Sequence, residues 1–170
     1  MDNRGHWLRV NIQTSTEVCL GLSITDLLQA GLLVPDKALS GCLTWHGAQE
    51  QAPLASVDVH VAPGAQDGLN VRLRYQVVLG GVPQTVNEPI SLMVTQPFFG
   101  GQRWWFRCPL GRSGVSCGRR VGVLYLPPEG RLFGCRYCHE LTYASCQASR
   151  HRGAGELLHH SHLESLGVLR

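Results

Sequence analysis

Four cysteines within 31 positions, Cys108, Cys117, Cys135 and Cys138, form the pattern Cys-x8-Cys-x17-Cys-x2-Cys and constrain this chain more than any other feature. The tight pair Cys135-Arg136-Tyr137-Cys138 lets one turn present two sulfurs to one ion. The x17 interval matches the separation between the two halves of a ribbon-type site. The first interval, x8, is long for such a site, so the loop Pro109–Ser116, rich in small residues, has to close back on itself. Gly118, directly after Cys117, admits a positive φ that turns backbone N–H groups toward the sulfurs. Four thiolates fill a tetrahedral shell, so the expected cofactor is one structural Zn2+ with no open position for chemistry. His139 is an alternative fourth ligand. The competing reading is that these are ordinary buried free cysteines.

The chain holds seven cysteines, an odd number, and its N-terminus lacks a basic start followed by an apolar run. Both features argue for a reducing, cytoplasmic setting and against a disulfide scaffold. Cys19 and Cys42 are expected as core thiols and Cys146 as a spare. No segment approaches the run of about 18 apolar residues that a membrane helix needs.

Upstream of the cysteines the chain reads as mainly β. Val57, Val59 and Val61 alternate with Asp58 and His60, and Val71, Leu73, Tyr75 and Val77 alternate with Arg72, Arg74 and Gln76. Ile90, Leu92 and Val94 continue the pattern less cleanly, and Cys42–Trp45 and residues 7–13 are further short strands. Such alternation places apolar side chains on one face of a sheet and leaves the other wet. Gly80-Gly81 predicts a hairpin turn. One short helix is predicted near 24–32, where Ile24, Leu27, Leu28 and Leu32 share a face. Ser23 and Asp26 supply a capping box, and Gly31 and Pro35 a stop. The expected architecture is an antiparallel β domain over 1–100, a zinc-ribbon-like lobe over 101–149 joined at Gly100-Gly101, and a tail over 150–170. Within the lobe, Arg103–Arg107 and Val121–Leu126 read as strands, and Leu132–Phe133 as a strand returning to the metal. Glu156–Leu166 in the tail can form a helix, and His159, His160 and His162 read as a polar tail.

The charge is unevenly spread. The net value is +3, yet residues 101–152 hold nine Arg and two Glu, a local excess of +7. Arg112, Arg119, Arg120, Arg131 and Arg136 lie close to the cysteines in sequence and are candidate nucleic-acid contacts; a structural role around the thiolates is the alternative. On a strand, Trp104 and Phe106 share one face and read as core, whereas Trp105 shares the other with Arg103 and Arg107. No Gly-rich phosphate loop, nucleophile elbow or His-Glu-x-x-His pair occurs, so the sequence points to no reaction.

Five strings stand in fixed order: Gly-Gly-x-Arg-Trp-Trp-Phe-x-Cys-Pro over Gly100–Pro109, Cys-Gly-Arg-Arg-Val over Cys117–Val121, Leu-Tyr-Leu-Pro-Pro over Leu124–Pro128, Phe-Gly-Cys-Arg-x-Cys-His over Phe133–His139, and Leu-Thr-Tyr-x-Ser-Cys-Gln over Leu141–Gln147. Together they resemble a widespread family of uncharacterised bacterial proteins with a zinc-ribbon-like region. The resemblance implies no particular activity. It implies basic, helical segments after Ser-Cys-Gln, where this chain has a short tail. Two functions are expected from the residues: a non-enzymatic module binding DNA or RNA through its arginines, or a protein-interaction or assembly module of a bacterial or mobile-element system, with zinc purely structural.

Overall fold

A computed structural model describes residues 13–46, 53–64, 68–112 and 114–146 of the chain. The expected strand over residues 7–13, apart from Gln13, lies outside the described residues, as do the tail helix and the three tail histidines.

The protein is mainly β. Strands β1 (Leu20–Ser23), β2 (Leu39–His46), β3 (Pro53–Pro63), β4 (Leu69–Leu79), β5 (Val82–Thr95) and β6 (Arg103–Arg107) are followed by four short ones. These are β7 (Gly111–Arg112), β8 (Val115–Ser116), β9 (Arg120–Val121) and β10 (Val123–Leu126). A helix, α1 (Ile24–Gln29), follows β1. Six strands form one antiparallel sheet in the order β2-β3-β4-β5-β6-β9, while β1 pairs with β10 and β7 with β8. Among the described residues no helix is long and apolar enough to cross a membrane.

The alternation read from the sequence governs the main sheet. Val57, Val59, Val61, Val71, Leu73, Tyr75, Val77, Ile90 and Leu92 are all buried, and the intervening Asp58, His60, Arg72, Arg74 and Gln76 are exposed. Opposite the buried face, Leu22 of β1, Leu124 of β10, Ile24 and Leu27 of α1, and Phe133 complete one continuous core. A fully buried Leu or Val contributes roughly 1.5–3 kcal/mol, so each element that delivers two such side chains is held firmly. The hairpin between β4 and β5 turns on Gly80-Gly81 alone, with φ of 57° and 81°, the two positive values that a two-residue type I′ loop requires.

Helix α1 begins as the sequence indicates. Ser23 Oγ accepts from the Asp26 N–H at 3.1 Å, and the Asp26 carboxylate accepts from the Ser23 N–H at 2.8 Å. It stops earlier than the expected 24–32, at Gln29. The N–H groups of Gly31 and Leu32 turn back to the carbonyls of Leu28 and Leu27, closing the last turn. Leu32 is buried from this turn, not from a continued helix.

Other differences concern the segment after Gly101. The main sheet continues across Gly100-Gly101, since β6 pairs with β5 from Leu92↔Phe106 to Thr95↔Arg103. Trp104 and Phe106 are core side chains, as expected. The expected strand Val121–Leu126 is divided at Gly122. Before it, β9 belongs to the six-stranded sheet; after it, β10 crosses to pair with β1. The expected return strand Leu132–Phe133 does not form. Gly134 alone bridges to Tyr125 there, and the Phe133 N–H goes to the Glu88 carboxylate at 3.0 Å. Cys42 is not a core thiol: on β2 it shares the outward parity with Thr44, while Leu43 and Trp45 turn inward, and it is exposed. Cys19 is half-buried and Cys146 exposed.

Candidate metal centre

Three pieces of chain carry the four cysteines to one point. Cys108 leaves the end of β6, pinned by its N–H to the Arg119 carbonyl at 3.0 Å. The β7–β8 hairpin then reverses the chain, and the Cys117 N–H closes on the Leu110 carbonyl at 2.8 Å. This small hairpin is how the long x8 interval returns to the site. Gly118 has the expected positive φ, 55°. The second pair sits in the turn that follows Gly134, held by the His139 N–H on the Cys135 carbonyl and the Leu141 N–H on the Arg136 carbonyl.

The four Sγ atoms lie within 4.8 Å of one another. Cys108 Sγ is 3.8 Å from Cys138 Sγ, and Cys117 Sγ is 3.8 Å from Cys135 Sγ. A tetrahedral shell with metal–sulfur bonds of about 2.3 Å has sulfur–sulfur edges of about 3.8 Å, whereas a disulfide needs about 2.05 Å. The spacing suits four ligands of one ion and excludes a bridge. Cys108 and Cys135 are buried and Cys117 and Cys138 half-buried, so the cluster can hold a metal ion at the margin of the core.

The backbone prepares the sulfurs for negative charge. The Cys135 N–H donates to Cys108 Sγ at 3.3 Å. Burial pushes the Cys108 thiol up to about 11, against the N–H groups of Cys135 and Leu110. Burial acts in the same sense on Cys117, but the Arg119 N–H and the neighbouring thiols outweigh it and bring that group down to about 7. Cys138 is raised, by burial first and then by its thiol neighbours. Burial thus holds the protons on Cys108 and Cys138, and metal uptake at these sulfurs is a proton-releasing step.

His139 is not among the converging ligands. Its Nε2 is buried without a hydrogen-bond partner, and burial lowers its pKa, keeping the imidazole neutral. The ring packs over Gly134, where a Cβ would lie 2.8 Å from Nε2 and would overlap the Leu110 side chain. Only hydrogen fits between these two groups.

Of the arginines singled out, Arg119, Arg120 and Arg131 are exposed and Arg136 is half-buried. The side chain of Arg112 lies outside the described part. Arg120 stands directly across from Arg107 in the β6–β9 pairing. Arg119 and Arg136 both pack against Tyr137, at 4.1 and 4.8 Å from the ring centroid, and Arg136 also packs against Tyr143 at 4.8 Å. Arg131 is set apart, its carbonyl oxygen 3.0 Å from the Tyr75 hydroxyl oxygen. Trp105 is half-buried, with its indole N–H on Thr95 Oγ1 at 2.9 Å and Arg103 over its ring.

Three features escaped the sequence reading. Glu88 is the one buried charged side chain among the described residues, and its parity with Val86 and Ile90 is the signal that it faces inward. Phe98 and Phe99 are 97% and 96% exposed, at a turn closed by the Gly100 N–H on the Pro97 carbonyl. On the wet face, His60 and Ser40 are hydrogen-bonded at 2.8 Å beside Arg72 and Arg74, in a groove of about 440 Å³. Comparison of the chain with family models, curated proteins and solved structures finds no match.

Proposed function

We propose that this protein is a non-catalytic, zinc-binding module that binds DNA or RNA through the arginines around its metal centre. Zinc is the natural occupant because four thiolates in tetrahedral array suit Zn2+ and leave no open coordination position. The observation that carries the nucleic-acid reading is the crowding of like charge at the site. Arg107 and Arg120 face each other across β6 and β9, and Arg119 follows Cys117 by two residues. Like charges set opposite each other on a sheet are unfavourable by a few tenths of a kcal/mol up to about 1 kcal/mol, a cost that a bound polyanion reverses. Residues 101–152 carry the excess of +7 described above; a tetrathiolate zinc centre, at −2, reduces it to about +5.

The test is fluorescence anisotropy with labelled oligonucleotides and the metal-loaded protein. Binding is expected to weaken steeply between 50 and 200 mM salt, and Arg119→Glu/Arg120→Glu to lower affinity roughly tenfold and flatten the salt dependence. Absence of binding at low salt overturns the reading.

A second reading, a protein-interaction or assembly module with purely structural zinc, is favoured by Phe98 and Phe99. Two nearly fully exposed phenyl rings present roughly 400 Å² of apolar surface, on a turn that packs them edge to face at 5.5 Å. Phe98→Ser/Phe99→Ser is expected to leave the melting temperature within about 1 °C of the parent, since neither ring is buried. A photo-crosslinker at position 98 is expected to yield one discrete protein adduct in cells on this reading, and a diffuse smear if the patch has no partner.

A further inference from the structure

Arg119, Tyr137, Arg136 and Tyr143 form a ladder of alternating guanidinium and phenol groups. Successive members pack 4.1, 4.8 and 4.8 Å from guanidinium carbon to ring centroid. The ladder lies at the surface: Tyr137 is 55% and Tyr143 42% exposed, and Arg119 is exposed. It is also built on the metal centre. Arg136 and Tyr137 are the two residues between ligands Cys135 and Cys138, and the Arg119 carbonyl accepts the Cys108 N–H. Flexible side chains in solution lose entropy when stacked, and exposed cation–π pairs return only about 0.5–1 kcal/mol each. Three consecutive pairs among four side chains are therefore more order than their own contacts require. Planar rings and planar guanidinium groups both stack on nucleobases, and the guanidinium edges reach phosphate.

We infer that this ladder is a stacking surface for single-stranded nucleic acid, a refinement that rests on the nucleic-acid reading above. A duplex offers phosphate to such a surface but keeps its base faces stacked inside. A single strand offers both. The turn that carries Cys135 and Cys138 also carries Arg136 and Tyr137, so the ladder and the candidate metal centre share one segment of backbone.

The experiment compares the metal-loaded full chain against a labelled 12-nucleotide single strand and against the duplex of the same sequence, at fixed low salt. The single strand is expected to bind at least tenfold more tightly. Tyr137→Ala/Tyr143→Ala is expected to lose roughly tenfold or more in single-strand affinity while leaving duplex affinity within about twofold. Tyr137→Phe/Tyr143→Phe, which keeps both rings, is expected to bind as the parent does. Metal content and melting temperature measured on each variant separate a lost contact from a lost fold. Equal affinity for both nucleic acids, with the alanine variant unaffected, overturns the ladder and leaves the wider reading standing. No binding to either nucleic acid overturns both.

Discussion

Stripping the metal from the loaded protein with a chelator is expected to lower its melting temperature by about 10 °C or more. A ligand present at about a thousand times its dissociation constant stabilises by about 4 kcal/mol, and a domain of this size shifts roughly 2–4 °C per kcal/mol. The loss should be larger for the buried ligands. Cys108 and Cys135 are 1% and 0% exposed, so serine at either position leaves a hydroxyl in the core as well as breaking the shell. Cys117→Ser and Cys138→Ser are expected to cost less stability, since water can reach both sites. Serine at Cys42 or Cys146, both exposed and apart from the cluster, should leave metal content unchanged. Because uptake displaces thiol protons, which burial holds on Cys108 and Cys138, it should also weaken as the solution becomes more acidic. Metal analysis, visible spectra of the cobalt-substituted protein and thermal unfolding check these outcomes. One ion per chain with a tetrathiolate spectrum is expected. A chain that purifies without metal and melts identically with or without chelator would remove the centre.

Much of this fold was legible because two local rules act strongly. Parity alone located β4, from Leu69 to Leu79, and told which of its side chains are buried. The Ser23–Asp26 capping box marked the start of α1 to the residue. What parity cannot supply is the partner of each strand. β1 and β10 are about a hundred residues apart, and nothing local joins Leu22 to Leu124. Nor does spacing reveal that Gly122 hands the chain from one sheet to the other, or that Gly134 makes a bridge where a strand was expected. The cysteine set was readable because ligands must converge, whatever the intervening backbone does. The stacked arginines were not. Their order comes from Tyr137 and Tyr143, which look like ordinary surface tyrosines in sequence. Cys42 was misplaced for a related reason: a thiol suits the core chemically, but its strand register turns it to water.

Glu88 provides the second large effect, since it ties the cysteine-bearing segment to the sheet. One carboxylate oxygen accepts both the Tyr75 hydroxyl at 2.6 Å and the Phe133 N–H at 3.0 Å, while the other is buried without a partner. Tyr75 and Phe133 also meet edge to face at 5.3 Å. Phe133 is fully buried and lies two residues before Cys135, so this carboxylate positions the turn that presents the second cysteine pair. Glu88→Ala deletes the acceptor and opens a cavity. An unpaired buried N–H costs about 1–3 kcal/mol before the cavity is counted, so a loss of about 3 kcal/mol, or about 10 °C in melting temperature, is expected. Metal should leave faster too, by roughly tenfold, as when an outer support of a metal site is removed. Glu88→Gln keeps an acceptor for both donors and separates charge from hydrogen bonding. Burial raises the Glu88 pKa above its ordinary value of 4.5, outweighing the Tyr75 and Phe133 hydrogen bonds that lower it. The folded state therefore binds this proton more tightly than the unfolded chain does. Stability from this group is fully present at pH below 4.5 and is lost as pH rises through the elevated folded value. The glutamine variant cannot titrate, so its stability relative to the parent should climb across that interval and then level off. Denaturant unfolding of both proteins over a pH series reads this difference directly, and a difference that stays constant with pH would mean that the carboxylate is not held protonated by its burial.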